Sequence, residues 1–107
     1  MPHAGRRGAG TPLRSHAEVP TDAAGRYAKQ LASHLGRKAT VTTEERGDRI
    51  HIGIGSCLLV TGPAALLLLA EAPDEEALRR VEDVVGRHLE RFGQRDGLTV
   101  TWVRDAA

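Results

Sequence analysis

The sequence predicts an α+β fold, a two-layer sandwich in which two helices cover one face of an antiparallel sheet. Apolar residues recur at helical spacing in two segments, 22–36 and 74–93. Around these segments, short apolar runs are separated by turns that contain glycine. Because strands joined by hairpins pair antiparallel, the predicted element order is β-α-β-β-β-β-α-β. These patterns leave the places of the first and last strands in the sheet undetermined.

Composition is that of a small globular domain with an aliphatic core. The 107 residues suit one domain, and 40% of them are apolar, but only 3% are aromatic. The core is therefore expected to consist of Leu, Val, Ile and Ala. Residues 1–12 are rich in Gly, Pro, Ala and Arg without a hydrophobic period, which predicts a disordered N-terminal arm ahead of a single α+β domain over residues 13–107.

Charge and cysteine content limit the compartment and the partners. The one cysteine has no partner for an internal disulfide, and no basic stretch precedes an apolar signal core, so the sequence favours the reducing cytoplasm. The longest apolar run, residues 64–70, is too short to cross a membrane. Basic residues form no dense cluster and lack interleaved aromatics, so nucleic acid is not an expected partner.

The first predicted strand is Leu13–Val19, where apolar and polar residues alternate up to Pro20. The first helix follows over Asp22–Gly36, with Thr21 as its predicted N-cap.

Two further strands, 38–44 and 48–54, are predicted around a turn at Arg46-Gly47-Asp48. Ile50, Ile52 and Ile54 share one face of the second of these strands. A turn at Gly55-Ser56 then leads into a strand over 57–61, and Gly62-Pro63 forms the next turn.

Four consecutive leucines, Leu66–Leu69, form the next predicted strand and place apolar side chains on both of its faces. Such a strand is either central and covered on both sides or part of a subunit contact. The sequence therefore predicts a homodimer built on the sheet surface or a sheet edge near these leucines.

The second helix is predicted over Asp74–Gly93, because Pro73 and a run of acidic residues suit the positive end of a helix dipole. A last strand is predicted over Leu98–Val103, with Val100 and Trp102 on the same face.

Two histidines mark the candidate site. His34 and His88 each precede a core leucine near the end of a predicted helix, and helices that lie side by side would bring these rings face to face. Tyr27 shares a helix flank with His34, and Cys57 approaches from the sheet. Two imidazoles and a thiolate suit zinc, copper or iron. The alternative is that both histidines are packed, hydrogen-bonded structural side chains, since neither belongs to an i, i+4 metal-binding pair.

The sequence resembles the bacterial domain of unknown function 2218 family, from about Ala17 to Trp102. The residues that carry the resemblance are Ala17, Val19, Thr21, Arg26, Tyr27, Gln30, Leu31, His34, Lys38, Gly55, Cys57, Val84, Val85, His88, Leu89, Arg91, Phe92, Arg95, Leu98, Val100 and Trp102. The resemblance implies no established activity. It does imply an association with iron and siderophore uptake systems, which family members often show.

A non-catalytic binding or accessory protein is therefore the expected function, with Tyr27, His34, His88 and Trp102 as ligand-binding candidates. The alternative is a small metal-dependent or redox enzyme that uses His34, His88 and Cys57. A cysteine hydrolase is disfavoured because Cys57 follows a turn, without a helix N-terminus to lower its pKa. Neither catalytic residues nor a cofactor can be assigned from the sequence.

Overall fold

The structure is a computed structural model, which describes residues 11–105. Its two helices are α1 (Ala24–Leu35) and α2 (Glu75–Phe92). Its strands are β1 (Leu13–Pro20), β2 (Thr40–Thr43), β3 (Asp48–Ile52), β4 (Gly55–Thr61), β5 (Ala65–Ala72) and β6 (Val103–Arg104). Apart from Thr11 and Pro12, the predicted N-terminal arm lies outside the described residues.

All six strands belong to one antiparallel sheet with the order β2-β3-β4-β5-β1-β6. Strands β2 to β5 form a meander, because each is joined to the next by a short turn. Strand β1 pairs with the free side of β5 along its whole length, and β6 pairs with β1. The predicted α+β class and element order are confirmed, and the structure supplies the strand order that the sequence left open.

Both helices pack on the same face of the sheet, which we call the covered face. The core combines the apolar stripes of α1 and α2 with alternate residues of the strands. Leu66 and Leu68 of β5 point into this core and are fully buried. We call the opposite side the open face; there Leu58 is also buried, while Leu67 and Leu69 are partly exposed. The homodimer expected at Leu66–Leu69 stays a prediction.

The starts of the two helices differ. Asp74 is the N-cap of α2, and its carboxylate accepts the Ala77 N–H at 2.8 Å. Aspartate is a favoured residue at this position. The predicted N-cap of α1 is wrong: Ala23 occupies that position, without a side-chain cap. Thr21 belongs to the sheet instead, because its own N–H donates to the Ala64 carbonyl at 3.0 Å. This bond extends the β1–β5 pairing by one residue.

The predicted turn at Gly55-Ser56 is also wrong, because the chain reverses two residues earlier. Gly53 has a φ of 61° and provides the left-handed conformation that the turn requires. Ile54, which was predicted to share a strand face with Ile50 and Ile52, lies in the turn and is 69% exposed. Gly55 instead begins β4 under α2, where an added Cβ would lie only 2.7 Å from a methyl group of Val81.

The predicted last strand is largely wrong. Only β6 pairs with the sheet, while Leu98, Val100 and Trp102 pack against the core as an irregular segment. This segment follows α2, because the Glu90 carboxylate accepts the Val100 N–H at 2.9 Å and Gly86 leaves room for the Trp102 ring. In this segment, burial of apolar side chains against α2 takes the place of strand pairing. Val100 and Trp102 do lie on the same side of the segment, as expected. Neither helix in the described part of the chain is long and apolar enough to cross a membrane.

Candidate functional site

The two candidate histidines meet between the helices. The ring centroids of His34, in the last turn of α1, and His88, in α2, lie 5.2 Å apart with an interplanar angle of 44°. The beginning of α1 lies near the chain that follows α2, since Tyr27 bonds Asp96. The helices therefore run antiparallel, and this arrangement brings the histidines together.

Phe92 completes an aromatic cluster with the two histidines. Its ring centroid lies 5.3 Å from that of His34, edge to face, and 6.3 Å from that of His88. The sequence indicated Phe92 only as one of the residues that carry the family resemblance. Its position four residues after His88 was the available signal, because residues at i and i+4 share a helix face.

The hydrogen bonding of His88 determines which ring nitrogen is available. Its Nδ1 lies 2.7 Å from the carbonyl oxygen of Val84, one helical turn earlier. A carbonyl only accepts, so Nδ1–H donates this bond and the neutral ring keeps its lone pair on Nε2. The His34 side chain is exposed and makes no hydrogen bond to another described residue. The pair can therefore act as nitrogen donors to a ligand.

Tyr27, about two helical turns before His34, links α1 to the chain that follows α2. The residue is 2% exposed, and its hydroxyl donates a hydrogen bond to the carboxylate of Asp96. This bond to an anion raises the pKa of Tyr27, and burial raises it further. The guanidinium of Arg26 lies 4.6 Å from the ring centroid and 3.8 Å from Asp96. Because its hydroxyl is already bonded to Asp96, Tyr27 has a structural role in this arrangement. It could bind a ligand through the hydroxyl only if that ligand displaced Asp96. Nothing in the sequence indicated Asp96.

Cys57 belongs to the core. It is completely buried on the covered face, and burial raises the pKa of its thiol to about 12. A thiolate, which is the form that attacks substrates and binds metals, is therefore scarce at neutral pH. Within residues 11–105, no three His, Cys, Asp or Glu side chains are grouped so as to hold a metal ion. Cys57 thus adds no third ligand to the histidine pair in this arrangement.

Trp102 lies away from the histidines. Its indole nitrogen approaches Gly86, two residues before His88 and therefore on another flank of α2. The ring is partly buried there, together with Val100. Of the four ligand-binding candidates, the structure joins His34 and His88. It holds Tyr27 in a hydrogen bond to Asp96 and places Trp102 against another flank of α2. Their roles in ligand binding remain predictions.

Comparison with known proteins identifies the family. Residues 16–103 match the family described as an uncharacterised protein conserved in bacteria, DUF2218. The NMR structure of PA4090 from Pseudomonas aeruginosa is similar, with a TM-score of 0.70 and 32% sequence identity, over 85% of this chain and 95% of that chain. No curated protein matches significantly. The chain therefore belongs to this family of uncharacterised bacterial proteins, as the resemblance in its sequence indicated.

Proposed function

We propose that this protein is a non-catalytic binding or accessory protein that holds a transition-metal ion, or a chelate of one, through His34 and His88. The single observation that carries the proposal is the 5.2 Å separation of the two imidazole rings at the surface between the helices. It favours a binding function over catalysis, because no activated nucleophile accompanies the pair among the described residues.

The ring separation suits a shared metal. With metal–nitrogen bonds of about 2.0–2.1 Å and a ring centre about 1.2 Å beyond each nitrogen, two imidazoles at a tetrahedral angle have centroids roughly 5 Å apart. The observed separation agrees with that value. Imidazole nitrogens more than about 10 Å apart could not share one ion, and rings whose centroids lie 5.2 Å apart do not reach that separation.

The surroundings of His88 also suit a metal ligand. Ligating histidines usually donate their second N–H to a carbonyl or carboxylate, which fixes the tautomer and orients the ring. The hydrogen bond from Nδ1 to the Val84 carbonyl has this form and leaves Nε2 for the metal. Phe92 limits ring rotation by packing against both imidazoles.

Two imidazoles supply only part of a coordination sphere. The remaining positions would be filled by water or by the donor atoms of a small chelator, so a metal that arrives already chelated fits the proposal best. The association of related proteins with iron and siderophore uptake, which the family resemblance implies, makes iron the first metal to test. A reducing cytoplasm, favoured by the single cysteine, would keep iron as Fe²⁺, which accepts imidazole ligands.

Calorimetric titration with Zn²⁺, and with Fe²⁺ without oxygen, tests this proposal on the untagged full chain. His34→Ala and His88→Ala are each expected to weaken binding about tenfold or more, because each removes one of two protein ligands. Co²⁺ absorption spectra should change in the same variants, since the bands report the coordination geometry.

His51→Ala is the matched control, because His51 lies on the open face and bonds Thr42 rather than the helices. His3→Ala controls for the histidine that lies outside the described residues. Equal metal affinity in the wild type and both site variants would exclude the proposal. If the histidines only hold the helices together, the site variants would instead melt at lower temperature with no change in metal binding.

A further inference from the structure

The open face of the sheet contains a groove that is separate from the histidine pair. Leu58 of β4 and Leu69 of β5 are cross-strand partners and form its floor. Arg49 of β3 is the partner of Leu58 on the other side, while Arg14 and Glu71 form the next cross-strand pair. The groove has a volume of about 280 Å³. That is slightly below the usual range for ligand pockets, about 300–1,000 Å³, so it suits a small molecule.

Most charges around this groove are already paired. Arg49 bonds Glu44 through two nitrogens, at 2.5 and 3.1 Å, and donates to the Ser56 hydroxyl at 3.0 Å. Arg14 donates only its Nε to Glu71, at 3.3 Å, which leaves its terminal nitrogens available. These contacts hold Arg49 in place, whereas the exposed Arg14 side chain is attached by one bond.

Arg46 is the exception at this rim. It lies in the turn between β2 and β3 and lines the groove beside Leu58, yet no carboxylate of residues 11–105 lies within salt-bridge distance of it. The second lining carboxylate, Asp105, pairs with His16 at 2.7 Å. Counting Glu44, which bonds Arg49, three carboxylates balance the three guanidinium groups around the groove. Arg46 is therefore distinguished by the lack of a carboxylate close to it among the described residues, and not by an excess of positive charge.

We propose that this groove binds a small organic anion whose apolar body lies on Leu58 and Leu69 and whose carboxylate pairs with Arg46. The floor favours an apolar body, since Leu69 is partly exposed beside the buried Leu58 and presents an apolar surface between the charged side chains. Guanidinium groups pair with carboxylates through two parallel hydrogen bonds, and the terminal nitrogens of Arg14 add further donors. This function is independent of the metal proposal, because the helices cover the opposite face.

Titration of the ¹⁵N-labelled full chain with 4-phenylbutanoate tests the proposal by NMR. The backbone amide shifts are expected to concentrate at Arg46, Arg49, Leu58 and Leu69. The alcohol of the same length, 4-phenylbutan-1-ol, should bind about tenfold more weakly because it lacks the charge, and inorganic phosphate should bind more weakly because it lacks the apolar body.

Arg46→Ala should weaken 4-phenylbutanoate binding about tenfold, whereas Arg37→Ala, which removes an exposed arginine just after α1, should not change it. Arg46→Gln repeats the test while keeping a polar side chain in the turn. Three results would overturn the proposal: shifts outside the groove or none at all, equal binding of the acid and the alcohol, or equal effects of the Arg46 and Arg37 variants.

Discussion

The two faces of the sheet are built from the same strands but are stabilised differently. Along β5, Leu66 and Leu68 are fully buried under the helices, whereas Leu67 and Leu69 are partly exposed on the open face. The covered face is stabilised by apolar burial. The open face instead carries a series of ion pairs, in which Glu44, Arg49, Glu71 and Arg14 follow one another across the strands.

This comparison shows that a run of identical residues need not have one structural role. Side chains of a strand alternate between its faces, so the four leucines fall into two environments with different energetics. Burial of a leucine contributes about 1.5–3 kcal/mol, whereas an exposed ion pair contributes about 0–1 kcal/mol. The covered face should therefore dominate the stability of the fold, while the open face remains available for binding.

The largest difference between the faces is expected in thiol chemistry. Cys57 lies on the covered face, and its pKa of about 12 leaves roughly a thousandfold less thiolate at pH 8 than an ordinary cysteine has. Labelling by a thiol reagent should therefore be very slow in the native protein and fast in urea. A Cys57→Ala, Thr61→Cys variant, with its thiol at the exposed end of the same strand, should label rapidly without urea. Equal native rates for the two thiols would contradict the buried environment.

Leu68→Ala and Leu67→Ala compare the faces within one strand. The first substitution should lower the free energy of unfolding by about 2–5 kcal/mol, because it leaves a cavity in the core. The second should cost about 1 kcal/mol or less, because Leu67 is only partly buried and its site is open to water. Urea denaturation of both variants measures the difference. Similar losses would mean that the open face is covered in solution, as in the predicted homodimer.

The smallest effect is expected from the ion pairs of the open face. The guanidinium of Arg49 lowers the pKa of Glu44, so the folded state binds this proton less tightly than the unfolded state does. The stabilisation is therefore present above the unfolded pKa of glutamate, about 4.3, and is lost as pH falls through the lower pKa of the folded state. The stability difference between wild type and Glu44→Gln should shrink between pH 7 and pH 3.

Glu45→Gln is the control for this pH dependence, because Glu45 is exposed and makes no salt bridge with another described residue. Urea midpoints measured at both pH values provide the comparison. A difference that stays constant with pH in the Glu44 variant would show that the Arg49 pair does not contribute to stability.

Local sequence patterns predicted which helices and strands form better than they predicted where each one begins and ends. The apolar stripes of both helices and the turns at Gly47 and Gly62 fall where expected, because each depends on residues close together in sequence. The errors at Thr21 and over Leu98–Trp102 share a cause, because in both a contact with another segment decided the outcome: the Ala64 carbonyl for Thr21, and Glu90 with Gly86 for the last segment. The turn at Ile54 differs, because there Gly53 adopts the left-handed conformation and reverses the chain two residues earlier.

For the candidate site, too, the sequence predicted some features and the tertiary structure decided the others. Helical spacing alone placed His34 and His88 near helix ends, because periodicity determines which residues share a face. The apolar run after a turn placed Cys57 in a strand. Only the tertiary structure decided that the two rings meet at 5.2 Å, that Phe92 joins them, that Asp96 engages Tyr27 and that Cys57 stays buried. The physical reason is that these relations depend on how the two helices cross the sheet, and that crossing is set by packing among residues far apart in the chain.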